Sequence, residues 1–265
     1  MILRRAATTL DLRGLRHFAD LLRELVGRDL KLRYKRSLLG IAWALITPLV
    51  QLAVFTFLFR YVVRLDVPHY SSYVFSGVLA WNWFQNSLYM SAGAIVDNRE
   101  LIRRPGFPAA VLPAVIITTN LIYYLLALPP LLALLWLDGV ALTPAALALP
   151  LVMAIQFMLT LSLSYLVATC HVLFRDTQHL LSVALMLLFY LTPIFYQAEA
   201  VPEVYRPFYQ LNPAVHLVDA YRAVLLRGEL PPSGPTLALC GAAAVLLWVG
   251  YTVFMNTSHR FVEEL

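Results

Sequence analysis

Charge is scarce in this chain: only 13% of its 265 residues are Asp, Glu, Lys or Arg, against 60% apolar residues. That is too little polar surface to clothe a water-soluble globule, so lipid is the expected main solvent. Lysine is almost absent, and neither Lys31 nor Lys35 follows a glycine. A P-loop needs Gly-x-x-x-x-Gly-Lys-Ser/Thr to cradle phosphates on backbone amides, so ATP hydrolysis by that device is excluded. The two cysteines, Cys170 and Cys240, fall inside apolar runs and read as small buried hydrophobes, not as a disulfide. His171 and His179 flank a loop without a carboxylate-rich shell, so no metal site is expected. No Gly-x-Ser-x-Gly elbow or His-Glu-x-x-His pair is present. Aromatic and basic residues are not interleaved on a soluble module, which argues against nucleic acid as a partner.

What the chain does have is six stretches free of charged residues, at 37–59, 67–96, 105–137, 139–174, 177–198 and 230–258. A run of ~20 apolar residues crosses ~30 Å of hydrocarbon. The expectation is an all-α, polytopic membrane protein with six transmembrane helices, at about 38–61, 72–95, 109–136, 145–173, 178–196 and 236–256. Residues 1–36 form an N-terminal segment, 37–258 the transmembrane domain with an outer loop at 197–235, and 259–265 a tail. Mixed polar sequence follows Met1-Ile-Leu-Arg-Arg, which predicts no cleavable signal peptide. With both termini inside, fifteen basic residues are cytoplasmic and five, Arg60, Arg64, Arg206, Arg222 and Arg227, are outside. Positive flanks stay cytoplasmic, so this orientation is the expected one, and the net charge of +5 is an outcome of topology.

Residues 15–26 place Leu15, Phe18, Leu22 and Leu25 on one face and Arg16, Asp20, Arg23 and Glu24 on the other. This predicts an amphipathic helix in the cytoplasmic interface, its apolar face in lipid or protein. In the outer loop, Asn212-Pro213 is a helix start and Gly228 a stop. The helix between them is too short to cross, and Asp219 and Arg222 are spaced to pair. It reads as a re-entrant or outer-face helix. The uncharged runs carry amides and aromatics, among them Gln51, Trp81, Trp83, Tyr89, Tyr190, Phe195 and Tyr196. Such groups suit stacking against sugar rings, and equally a membrane-interface belt or ordinary packing.

The segment Arg28-Asp-Leu-Lys-Leu-Arg-Tyr-Lys-Arg-Ser-Leu-Leu-Gly-Ile-Ala-Trp-Ala-Leu-Ile-Thr-Pro48 resembles the N-terminal signature of type-2 ABC exporter permeases for polysaccharides and polyol phosphates. The resemblance extends through Phe75-Ser-Gly77, Leu101-Ile-Arg-Arg-Pro-Gly-Phe-Pro108, Phe174-Arg-Asp176, Leu191-Thr-Pro-Ile-Phe-Tyr196 and Asn212-Pro213, in the family's order. It implies a homodimeric permease bound to two copies of a separate ATPase, which would hold the ATP and Mg, with no cofactor in this chain. The substrate it implies is a lipid-linked polysaccharide of O-antigen or capsule type, moved across the bacterial inner membrane. A teichoic-acid-like polyol phosphate is the alternative within the class.

By the same resemblance the amphipathic helix is a gate helix, linked through Leu39-Gly40 to the first span. Asn98 to Phe107, with Arg99, Glu100, Arg103 and Arg104, is a short coupling helix that docks into the ATPase, and the first and fifth spans line the channel. Arg33, Tyr34, Lys35 and Arg36 lie at the gate. Arg33, Lys35 and Arg36 supply clustered cationic donors for a substrate phosphate, though topology alone also asks for positive charge there. A membrane-embedded glycosyl- or acyltransferase is the reading from another class, and it is disfavoured because Asp97, Asp138, Asp176 and Glu199 are dispersed. A secondary carrier is disfavoured by uncharged spans.

Overall fold

The structure, a computed structural model, describes residues 12–33, 35, 39–63 and 67–264. Tyr34 and Arg36 lie outside the described residues. Among the described residues eleven α-helices follow one another: α1 (Leu12–Arg33), α2 (Trp43–Phe55), α3 (Tyr70–Gly93), α4 (Arg99–Ile102), α5 (Val111–Leu137), α6 (Leu149–Leu173), α7 (Thr177–Leu191), α8 (Arg206–Gln210), α9 (Pro213–Arg222), α10 (Ser233–Thr257) and α11 (Phe261–Glu264). Among the described residues there is no strand. Among the described residues four helical stretches are long and apolar enough to cross a membrane: Trp43–Val62, Val111–Leu137, Pro144–Leu173 and Ser233–Glu264. The first of these is completed by a π-helical turn, Thr56–Val62, and a second π turn, Ala223–Arg227, extends α9.

The composition of α3 follows from its place in the bundle. It packs against α2, α5, α6, α7 and α9, so its Trp and most of its Ser side chains meet protein and not lipid, while Asn86 is left exposed. A helix enclosed by others escapes the demand for unbroken apolarity that a lipid-facing helix obeys. Several of its polar groups pair across the bundle: Gln156 of α6 donates to the Ala80 carbonyl at 2.8 Å, and Trp83 donates to the Ile117 carbonyl of α5 at 3.3 Å, while the Ser87 and Ser91 hydroxyls have no partner among the described residues. On the far side of α6, α10 runs alongside with close backbone contact at Gly250.

Helix α7 is shorter than the expected 178–196 span, because Pro193 forces the preceding Thr192 into extended backbone (φ −99°, ψ 133°) and the helix stops at Leu191. Asn212 caps α9 through its side chain, which accepts from the Ala214 N–H at 3.0 Å with Pro213 in the first helical position. Gly228, at φ +68°, ends the π turn beyond it.

At the end of the bundle that carries both described chain ends, α1 lays Leu25 and Val26 into a core with Ile95, Ile102, Val111, Tyr165, Phe254 and Phe261. The apolar face of α1 is therefore covered by protein, chiefly α5. The helix continues well past residue 26 and carries its last residue, Arg33, inward to Met90 and Tyr123.

Candidate functional site

Beyond α7 the chain runs without helix, and four consecutive carbonyls, of Pro193, Ile194, Phe195 and Tyr196, would be left without partners. Side chains from α3 and α9 take all four. Tyr70 donates to the Phe195 carbonyl at 3.1 Å and Tyr73 to that of Tyr196 at 2.9 Å. Arg222 supplies the other two: its Nη1 donates to Pro193 at 2.6 Å and its Nη2 to Ile194 at 2.7 Å. The guanidinium also donates to the Tyr73 hydroxyl at 2.7 Å and lies 3.4 Å from that ring's centre.

Arg222 is 5% exposed, and none of the ion pairs among the described residues includes it. Desolvation lowers its pKa to about 10, partly offset by Tyr73 and Asp219, so it remains a cation at neutral pH. Gly77 makes room for it, since a Cβ there would meet Arg222 Nη2 at 3.0 Å. This corrects the expected pairing of Arg222 with Asp219. Asp219 instead meets Arg227 at 2.9 Å, because α9 turns Arg222 inward against α3 and the π turn brings Arg227 back along the surface.

Next to this anchor lies an aromatic cluster. Phe195 stacks on Phe59 at 4.8 Å and on Phe55 at 6.0 Å, and Phe189, Tyr190 and Tyr196 surround it. Tyr196 donates to the Tyr190 carbonyl at 3.0 Å and shares a 2.7 Å hydrogen bond with the Tyr209 hydroxyl. Three of the aromatic candidates, Tyr190, Phe195 and Tyr196, thus converge where α2 meets α7. Phe55 and Phe59, which join them, belong to the first uncharged run but carry no motif. Trp81 reaches the cluster's edge through Phe189, and Trp83 does not join it. Trp81 packs on Phe84 and Phe189 and donates to Gln85, while Trp83 packs on Tyr124, and both are 2% exposed. Gln51 accepts from Asn82 at 2.8 Å across α2 and α3, and Tyr89 is exposed on α3.

The family model described as ABC-2 type transporter matches residues 20–226. The chain belongs to this family. It is accordingly a multi-pass membrane permease, served by an ABC ATPase in a separate subunit. Its relatives include the O-antigen export system permease protein RfbA of Myxococcus xanthus, 36% identical over 96% of this chain and 98% of the relative. A protein of the same description from Klebsiella pneumoniae is 29% identical over 95% and 97% of the two chains. The polysialic acid transport protein KpsM of Escherichia coli is 24% identical over 89% and 93%.

At the opposite end of this ABC-2 permease, the segment singled out for coupling is less helical than expected. Helix α4 covers only Arg99–Ile102, because Pro105 has no N–H to continue it and Gly106 sits at φ +78°. Ile102 is buried and α11 packs on α4, while Arg99, Glu100, Arg103 and Arg104 are exposed and Phe107 is half-buried. Asn98 accepts from Arg28 of α1 at 3.3 Å and donates to the Ala94 carbonyl at 3.0 Å, tying the segment to α1 and α3. Between α1 and α2, Lys35 and Leu39 are exposed and Gly40 takes φ +51°, which disfavours any residue with a Cβ.

Proposed function

We propose that this chain is the membrane half of an ATP-driven exporter that carries a lipid-linked polysaccharide, of O-antigen or capsule type, across the bacterial inner membrane. The observation that carries the reading is the near-complete match, along both chains, to relatives described as O-antigen export permeases. Six helices cross the membrane in this reading: α2, α3, α5, α6, α7 and α10. Helix α3 joins the four apolar ones because it is 24 residues long, about 36 Å. The 15-residue α7 reaches across with the segment tied down by Tyr70, Tyr73 and Arg222.

Two copies pair through the faces of α2 and α7, whose large apolar side chains, such as Val50, Phe57, Leu180 and Leu187, are exposed in the single chain. The aromatic cluster at their junction offers ring faces to a passing sugar chain. Arg33, Lys35 and Arg36 meet the substrate's phosphate on the cytoplasmic side, and α1 is the gate helix. Two ATPase copies bind below and hold the ATP and Mg; this chain carries no cofactor of its own.

Both termini are cytoplasmic in this arrangement. Cysteines placed at Asn98 and Glu203 are expected to differ towards an impermeant thiol reagent in intact spheroplasts, with Glu203→Cys labelled and Asn98→Cys protected. The reverse pattern inverts the topology.

Arg103 and Arg104 project from the segment that α11 supports, as an ATPase docking surface requires. Arg103→Glu with Arg104→Glu is expected to reduce recovery of the ATPase in a pull-down by at least about tenfold, since each reversal replaces an attraction with a repulsion. Surface polymer should fall in parallel. Retention of both binding and export removes the coupling role.

A further inference from the structure

A second polar feature lies inside the single subunit, apart from the α2–α7 junction. A cleft of about 230 Å³ opens between α2, α3 and α5, lined by Trp43, Asn82, Asn86, Asn120 and Tyr123, with Arg33 at its edge. Its depth is the first point. Tyr123 is 12 residues into α5, about 18 Å along it, and Asn82 is 11 residues from the end of α3, about 16 Å along it. At that level water does not supply hydrogen bonds, and a bare amide facing an acyl chain is costly.

The second point is unspent hydrogen-bonding capacity. Asn120 donates to the Ile116 carbonyl, and Asn82 donates to Gln51 but receives nothing at its own carbonyl oxygen among the described residues. Asn86 is exposed and makes no hydrogen bond among the described residues. Among the described residues Arg33 meets only the Met90 sulfur at 3.0 Å and Asp29 at 3.7 Å, with its guanidinium 5.4 Å from the Tyr123 ring centre. Its Nε and Nη1 remain available to an anion.

We propose that this cleft holds the first sugar of a phosphate-linked, lipid-borne glycan, with the phosphate on Arg33 and ring hydroxyls on Asn86 and Asn82. The cleft is thus a loading site within one subunit. Its size admits one sugar ring and not an oligosaccharide, being below the range typical of drug-sized ligands. The ligand arrives from the side: Trp43, the first residue of the α2 span, is 48% exposed at the rim, where the head of a membrane lipid reaches it. An indole at the rim also offers a face to the ring.

The inference rests on the exporter reading, and the test separates the two. The permease–ATPase complex in phosphatidylcholine nanodiscs is titrated with farnesyl diphosphate and with farnesyl diphosphoryl-glucose, alongside phosphatidylglycerol as an ordinary phosphate-bearing lipid. Asn86→Leu is expected to weaken binding of the sugar-bearing lipid about tenfold, the worth of one or two hydrogen bonds, and to change farnesyl diphosphate less than about twofold. Asn86→Gln should restore most of the difference, and Arg33→Gln should weaken both. An Asn86→Leu complex that still distinguishes the two farnesyl lipids as the wild type does overturns the sugar site and leaves the exporter reading standing. Phosphatidylglycerol binding as tightly as the glucose-bearing lipid makes the cleft an ordinary headgroup site. A wild-type complex that binds none of the three overturns the cleft and the lipid-linked substrate together.

Discussion

Arg222→Met is expected to abolish export and to lower the stability of the assembled permease by at least about 3 kcal/mol. The substitution is close in volume, so the loss is not one of packing. It strips the donors from the Pro193 and Ile194 carbonyls and leaves both buried without partners. Hydrogen bonds to a charged group contribute about 1.5–3 kcal/mol each, and an orphaned buried acceptor costs about as much as the bond it loses. The segment 192–196 would then lose its two ties to α9 and hang from Tyr70 and Tyr73 alone, which loosens the position of Phe195 and Tyr196 in the aromatic cluster. Lysine should rescue little, because one ammonium cannot span the Tyr73 hydroxyl and two carbonyls as the flat guanidinium does. Thermal unfolding in detergent and quantified surface polymer are the two measurements. Wild-type values for Arg222→Met in both would sink the anchoring role.

The second large effect is expected at Gly250, where α10 crosses α6. A Cβ there would stand 2.5 Å from the Ser162 carbonyl oxygen, a backbone atom that cannot turn aside. Small residues at such crossings let two backbones come close in lipid, where contact and not water exclusion holds helices together. Gly250→Ala should cost about 1–3 kcal/mol and Gly250→Leu more, as overpacked crossings do. The effect should extend one turn further along α10, to the core beneath α4. Phe254 and Phe261, which follow on α10 and α11, pack with Tyr165 and support Ile102 of α4. A fluorescence-detected size-exclusion profile and an ATPase pull-down from the same preparation measure both consequences. A Gly250→Leu permease with unchanged melting and unchanged ATPase recovery would show that the two helices do not need the contact.

The sequence disclosed those features that depend on local chemistry. Asn212-Pro213 announced the start of α9 because cap and ring act within one turn, and Gly228 announced its end for the same reason. The amphipathic pattern gave α1, although not its continuation to Arg33 beyond the last clear apolar position. Contacts that join distant segments were not legible. Asp219 and Arg222 have the right spacing to pair, and nothing local reveals that Gly77, far back in the chain, leaves a gap into which Arg222 turns. Tyr70 and Tyr73 stand just before the Phe75-Ser-Gly77 motif, yet their task is defined only by carbonyls more than a hundred residues later. The spans showed the opposite difficulty. Absence of charge marked α3 as clearly as α5, but only the packing explains why α3 is the more polar of the two.

The π turn at Thr56–Val62 stores a rotation. Each such turn holds one residue more than an α-helix would, so annealing it into regular helix swings every side chain beyond it by about 100°. Phe55, before the turn, would keep its bearing while Phe59, within it, would leave the face of Phe195. A like surplus residue sits at Ala223–Arg227, directly after the anchoring arginine. Rewinding either turn as regular helix would therefore re-aim an aromatic wall without breaking the helix that bears it.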